Sequence, residues 1–422
     1  MSDVVDRFIK YCKVASQSDP LNSKEVPSTP SQFEIANLIA QDLRELGASD
    51  VVVSAHAYVT AHWPASAGCE DLPCIGLCGH IDTAWQAKGN PVHPRIVHYE
   101  GGKLVAGVVE GREVSTSPDE VPSLEHMRGW DIICTDGSSL LGGDDKAGDA
   151  EIISLLYRFK NHPELKHPRL ALAFVPDEEI GHGAKLLDLK SWGARWGYTL
   201  DGGPMGEYSY ECFNAAEAKV RASGLSVHTG TAKGLMINAS EAIMRFHQLL
   251  PPQDRPEFTD GYDGFYYLER MEGTCEQAMA DYIIRDHDAS KFASRKQLMQ
   301  DAVAYVNEQF GKSVLEITIS DQYRNLADVM RDGNMHLVDN AVEAYKECGF
   351  SPQRIPMRGG TDGAQLSYRG LACPNLSAGY YNAHGPKEFV PIPELEGMVD
   401  VLEKLMAIYA KPQKALTQNE EG

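Results

Sequence analysis

The sequence is short of positive charge. Lys and Arg total 39 against 60 Asp and Glu, a formal net charge of −21 at neutral pH. No global field draws phosphate backbones or anionic lipid towards such a chain, so neither nucleic acid nor membrane is expected as a partner. A cysteine pairing pattern is also missing. The nine cysteines (Cys12, Cys69, Cys74, Cys78, Cys134, Cys212, Cys275, Cys348, Cys373) are odd in number and contain no Cys-x-x-Cys, which argues against a disulfide framework or a cysteine zinc knuckle. Long apolar runs are absent too: stretches such as 170–176 fall far short of the ~18 residues that a membrane span needs. The opening Met-Ser-Asp-Val-Val-Asp-Arg-Phe carries acids where a signal peptide would be basic, so a cytoplasmic protein is expected. What remains is 422 residues, 43% hydrophobic and 23% charged, the ordinary usage of a globular protein of two or three domains.

Periodicity divides the chain. Residues 6–46 read as two amphipathic helices around a polar loop, with Phe33, Ile35, Ile39 and Leu43 on one face of the second. Short apolar runs at 51–53, 74–78 and 170–175 read as strands covered on both faces, and a helix follows Asp144-Asp145-Lys146. Strands alternating with helices predict an α/β sandwich with a largely parallel central sheet. After Asp201 the order becomes strand 217–225, helix 236–250, strands 264–271 and 278–285, helix 289–310 and strand 314–320. That β-α-β-β-α-β succession predicts a ferredoxin-like α+β domain over 213–323, inserted into a discontinuous catalytic domain of 1–212 and 324–422. A polar tail occupies 418–422.

Four acidic or histidine-bearing segments adjoin the predicted strands or the helix that follows them, and a fifth lies in a turn-rich stretch. Gly-His80-Ile-Asp82-Thr follows the 74–78 run, where open α/β sheets present ligands. A neutral imidazole suits zinc, and a carboxylate two residues away can take its other ring N–H. Leu-Gly-Gly-Asp144-Asp145-Lys puts two acids at a helix start, where capping is the plain explanation and a metal countercharge the functional one. Pro-Asp-Glu178-Glu179-Ile-Gly offers two glutamates whose side chains diverge, one for a metal and one for a proton. Asp201 in Tyr-Thr-Leu-Asp-Gly-Gly and His384 in Tyr-Asn-Ala-His-Gly complete a nitrogen and oxygen donor set suited to a pair of divalent ions such as zinc.

These segments resemble those of the peptidase T family of tripeptide aminopeptidases, part of the two-zinc peptidases that include glutamate carboxypeptidases and aminoacylases. The likeness extends through Ser-Val-His228-Thr-Gly-Thr-Ala-Lys-Gly and Arg358-Gly-Gly-Thr-Asp-Gly-Ala, and runs in family order from Val26-Pro-Ser-Thr to Glu388-Phe-Val. It implies that His80, Asp201 and Asp144 bind one zinc, and that Glu179, His384 and the bridging Asp144 bind the other. Asp82 would orient His80, Glu178 would be the general base, and a hydroxide bridging the two zinc ions would be the nucleophile. Co2+ or Mn2+ are the expected substitutes. His228 is the implied oxyanion donor, from its own or a neighbouring chain, and a cis Asp144–Asp145 bond is implied as well. Gly143, where the family carries alanine, and the 378–383 stretch depart from the pattern and bear on pocket shape.

An enzyme that stops at tripeptides must measure length, and a guanidinium at a fixed distance from the scissile bond is a natural anchor for the terminal carboxylate. Arg285 on the inserted domain and Arg358 on the catalytic domain are the candidates, with Asn382 as a further substrate contact. The inserted domain is expected to act as a lid and to form a homodimer. Two other readings stand beside this one: a related two-zinc exopeptidase or N-acyl deacylase, and a catalytically silent peptide-binding protein.

Overall fold

The computed structural model describes residues 2–411, and the 418–422 tail lies outside them. The chain divides into two compact units, Met1–Tyr210 with Val329–Ile355 and Thr361–Gly422, and Glu211–Asp328 with Pro356–Gly360.

The first unit is built on an eight-stranded sheet in the order Ser49–Val53, Val59–Trp63, Leu170–Val175, Ile75–His80, Trp196–Gly202, Asn375–Ser377, Glu207–Ser209, Gln353–Arg354. Its four middle strands, Leu170–Val175 to Asn375–Ser377, are parallel. Antiparallel pairings flank them, so the sheet is mixed with a parallel centre. Leu170–Val175 and Ile75–His80 are buried at every position, which is why they read as unbroken apolar runs: both faces are covered. The helix Gly143–Asn161 packs on Ile75–His80 and Trp196–Gly202, and Asp3–Cys12 and Ile392–Ala410 pack on that helix. Gly76 is required where the 189–192 helix crosses the sheet, because a Cβ there would lie 2.6 Å from the Trp192 ring.

Between His80 and Asp144 no strand was expected, yet strands of two small sheets lie there. Arg95–His98, Asp131–Cys134 and Phe389–Pro391 form one, and the hairpin Leu104–Val109 with Arg112–Thr116 the other. Arg95–His98 has three exposed residues of four, so it carries too little alternation to be seen. Pairing of Phe389–Pro391 with Asp131–Cys134 fixes the end of the segment that carries His384.

The second unit has the predicted β-α-β-β-α-β order. Its strands lie as Phe265–Gly273, Gln277–Asp286, Asn214–Ser223, Leu315–Tyr323, all antiparallel. Alternate residues Ala216, Ala218 and Val220 face a core with Ile243 and Phe246 of the first helix and Met299, Val303 and Val306 of the second. Each large side chain so buried contributes about 1.5–3 kcal/mol. The first helix begins at Ala239, later than expected, because Asn238 accepts the N–H groups of Ser240 and Glu241 and caps it. The second runs Ala289–Phe310 as expected, from an Asp288 cap to left-handed Gly311.

Candidate metal centre

Three adjacent parallel strands bring their carboxyl ends together. His80 is the last residue of Ile75–His80, still within the strand where a loop position was expected. Glu178 and Glu179 form the turn after Leu170–Val175, and Asp201 is the penultimate residue of Trp196–Gly202. Asp144 comes instead from the start of a helix, with φ −80° and ψ 106° before the helical turns become regular. His384 sits in a loop at φ 65°, in the left-handed region. The Asp144–Asp145 bond is cis.

Asp144 lies between the two histidines. His80 Nε2 is 2.9 Å from Asp144 Oδ1 and 3.6 Å from Asp201 Oδ1. His384 Nε2 is 3.1 Å from Asp144 Oδ2 and 3.1 Å from Glu179 Oε2. Donor atoms of His80, Asp144 and Glu179, and likewise of His80, Asp145 and Asp201, lie within 4.8 Å of one another. Ligands about 2.0–2.2 Å from a tetrahedral ion are themselves separated by about 3.3–3.5 Å, so these spacings suit coordination after small adjustments. Glu179 Oε1 is buried without a hydrogen-bond partner, an orphaned acceptor that a cation would satisfy. No cysteine belongs to these groups among the described residues, so the donor set is imidazole and carboxylate, which suits zinc, cobalt or manganese.

Electrostatics point the same way. Burial and Asp144 push Glu179 up to about 7, and burial pushes Asp362 to about 7. Burial and Asp201 push Glu178 well above the usual carboxylate range. Burial raises Asp144 as well, but hydrogen bonds from His384 and His80 outweigh it and hold Asp144 low. Hydrogen bonds to Asp144 and Glu179 lift His384 to about 10. The site is a crowd of buried acids held together by protons on two imidazoles, a role that divalent cations fill better.

Further residues hold these ligands in place. Asp82 accepts the N–H of Glu178 on Oδ1 (3.0 Å) and that of Glu179 on Oδ2 (3.2 Å). His80 Nδ1 is 3.1 Å from the Asp82 carbonyl oxygen and 3.4 Å from its Oδ1, so one residue steadies both the histidine and the glutamate turn. Asp177 accepts from the backbone N–H of Ser28, 2.6 Å, and from Gln32 Nε2, 2.6 Å, tying the 26–29 segment beneath that turn. Asn375 brackets Asp201 by accepting its N–H and donating to its carbonyl, and the Tyr380 hydroxyl donates to Asp201 Oδ1 at 3.3 Å. Glu388 accepts three backbone N–H groups of the turn that carries Asp144. In the sequence Glu388 stood out only as the start of Glu388-Phe-Val, four positions after His384, with no role attached. Asn382, exposed at φ 53°, donates to Thr116 Oγ1 at 3.1 Å.

His228, Arg285 and Arg358 belong to the second unit. His228 is exposed and accepts the Gly230 N–H on Nδ1. Arg285 donates Nη1 to the carbonyls of Ile284 and Ala216 and lies over the Tyr323 ring. Arg358 lies in the second unit and not on the catalytic domain where it was expected. Its Nη1 donates to the Gly261 and Asp263 carbonyls and its Nη2 to Thr259 Oγ1, while its guanidinium lies over Phe213 and Phe265. Both terminal nitrogens are committed to the 259–263 loop, which draws the 356–360 segment into the second unit.

Comparison with known proteins decides the kinship. Residues 210–314 match the peptidase dimerisation domain of the M20 peptidases. The chain is 42% identical to peptidase T of Geobacillus kaustophilus over 408 residues, 96% of this chain and 98% of that protein. It is 43% identical to peptidase T of Caldanaerobacter subterraneus over 412 residues, 97% and 100% of the two. The chain belongs to the peptidase T family. Membership in that family makes it a metallopeptidase, as expected. In fold it is similar to aminopeptidase PepT from Bacillus cereus, with TM-score 0.75 and 21% identity over 97% of this chain and 98% of that one. It is also similar to a dinuclear metal binding peptidase from Bacillus subtilis, with TM-score 0.64 and 15% identity over 96% and 97%. No helix among the described residues is long and apolar enough to cross a membrane.

Proposed function

We propose that the chain is a two-metal aminopeptidase that releases the N-terminal residue of tripeptides. The observation that carries this reading is Asp144, whose two carboxylate oxygens face two different histidines, each also beside a second carboxylate. His80, Asp144 and Asp201 would hold one ion and Asp144, Glu179 and His384 the other, with zinc expected and cobalt or manganese as substitutes. Two such ions supply a nucleophile at neutral pH by depressing the pKa of water and polarising the scissile carbonyl.

The chain's own residues do the rest. Glu178 lies outside the ligand set, its backbone fixed by Asp82, and its environment favours the protonated carboxyl once it has taken a proton. It removes the proton from the attacking water and returns it to the leaving nitrogen as the C–N bond breaks. His228 donates to the oxygen that gains charge. Arg285 is the anchor for the substrate's terminal carboxylate, since Arg358 is engaged by the 259–263 loop, and Asn382 is a further substrate contact. The second unit serves as lid and homodimer contact, and the cytoplasm is the site of action.

The test is hydrolysis by metal-free protein to which zinc, cobalt or manganese is returned. A free tripeptide should be cleaved only after metal is added, and its N-acetylated and dipeptide counterparts poorly. Equal cleavage of the N-acetylated peptide would refute the aminopeptidase reading.

A further inference from the structure

Glu388 is 1% exposed, and its carboxylate is fully engaged by backbone. Oε2 accepts the N–H groups of Leu141 and Gly142, each at 2.8 Å, and Oε1 accepts that of Asp144 at 3.0 Å. Left-handed Gly142, at φ 82°, helps turn these successive N–H groups towards one point, a concave anion cradle filled from within the chain. The fit has no slack: a Cβ on Gly143 would lie 3.0 Å from Glu388 Oε1, 2.9 Å from Val390 Cγ2 and 3.0 Å from Tyr380 Cβ. Glu388 is only four positions after His384, and the loop that carries both is closed by backbone hydrogen bonds between Tyr381 and Phe389.

We propose that Glu388 is a positioning residue that locks Asp144 and the His384 loop into one geometry, so that the ion shared by Asp144, Glu179 and His384 is bound tightly. This rests on the reading of Asp144 and His384 as ligands. Those two residues are 240 positions apart in sequence, and each comes from an irregular segment and not from a strand of the parallel sheet. His80 is in register with Val175 of the neighbouring strand, and Asp201 lies within the strand Trp196–Gly202 with its backbone bracketed by Asn375. Two of the first ion's three ligands are therefore held on strands, whereas Asp144 and His384 of the second depend on a clamp between two irregular segments. A carboxylate is the group required, because it offers two acceptor oxygens and no donor. Glutamine can keep the pair from Leu141 and Gly142 on its one oxygen, but then turns its NH2 towards the Asp144 N–H. Glu388→Gln thus releases the ligand-bearing residue while preserving size.

The experiment is zinc titration of the metal-free full-length chain against a competing chromophoric chelator, with thermal melting of the same samples. Wild type should bind two ions. Because Asp144 is shared, Glu388→Gln should weaken the ion with two strand-held ligands at most a few-fold and the other about ten- to a hundredfold, the usual scale for a partner that orients a ligand. Glu394→Gln is the control: this other buried carboxylate bonds to the Tyr381 hydroxyl and the Met205 N–H, and its loss should lower the melting temperature without weakening either ion. If circular dichroism finds Glu388→Gln unfolded, Glu388→Asp replaces it, keeping the charge but drawing the carboxylate back from the Leu141, Gly142 and Asp144 N–H groups, with the same selective loss expected. Two ions bound with wild-type affinity by the folded variant would overturn the proposal and leave the ligand assignment standing. Fewer than two ions in wild type would overturn both.

Discussion

Asp82→Asn isolates one oxygen of a residue that works in two directions. The carboxylate accepts the N–H of Glu178 at 3.0 Å and that of Glu179 at 3.2 Å, one on each oxygen, and stands 3.4 Å from His80 Nδ1. Asparagine matches the shape but has a single acceptor oxygen, so one of the two amides must face an NH2 group. A charge-assisted hydrogen bond of about 1.5–3 kcal/mol is lost from a fully buried site. If that energy holds the glutamate turn for proton transfer, kcat falls by about ten- to a hundredfold, at roughly 1.4 kcal/mol per decade. Because Asp82 is a positioning residue with no substrate contact in this account, KM should change little. The assay is steady-state hydrolysis of a tripeptide by variant and wild type saturated with metal, with metal content measured on the same samples. A metal-replete variant whose kcat stays within about twofold of wild type would refute the reasoning.

Glu178→Gln should retain both ions and lose about 10²–10⁴ in kcat, checked by metal analysis beside turnover; an emptied site in the folded variant would make Glu178 a ligand. Amidating the C-terminus of a tripeptide should lower kcat/KM about ten- to a hundredfold in wild type but far less in Arg285→Ala, since the two losses act on one contact. Arg358→Ala should leave that amidation penalty intact and lower the melting temperature, because it frees the 259–263 loop. The metal-free protein should lose stability as pH rises. Glu179 and Asp362, at about 7 when folded against ordinary values of 4.5 and 3.8, hold protons more tightly folded than unfolded. Their contribution is present below about pH 4 and is lost as pH climbs through 7, and His384, raised from 6.5 to about 10, shifts stability in the same direction. Melting temperatures of the metal-free chain should therefore fall from about pH 5 to about pH 8, with a larger gain from added zinc at the higher pH; a flat profile would contradict this.

Much of the fold was legible because it rests on repeated patterns. The apolar run at 170–175 and the alternation around Ala216, Ala218 and Val220 record how many faces of each strand are covered, and that decides strand type. The small sheets between His80 and Asp144 escaped because their strands are short and largely exposed, held by partners as distant as Phe389–Pro391. In the site, residues carrying chemistry at or beside strand ends were visible: His80, Glu178, Glu179 and Asp201. Of their supports, Asp82 alone was given a role. Asp177 beneath Ser28 and Glu388 beneath Leu141 are acids whose partners are backbone amides up to 247 residues away, and nothing in local sequence marks where such an acid points. Arg358 shows the limit in another way: sequence position put it on the catalytic domain, while its hydrogen bonds to the 259–263 loop draw it into the second unit.

The central claim is that Asp144 is shared by two metal ions. Metal content per chain, measured by mass spectrometry after reconstitution with zinc and removal of excess, tests it most directly in wild type and in Asp144→Ala. The account predicts two ions in wild type, loss of metal from both sites in the folded variant, and tripeptide hydrolysis that disappears with the metal. A variant that keeps two tightly bound ions, or a fully active wild type that holds only one, would contradict it.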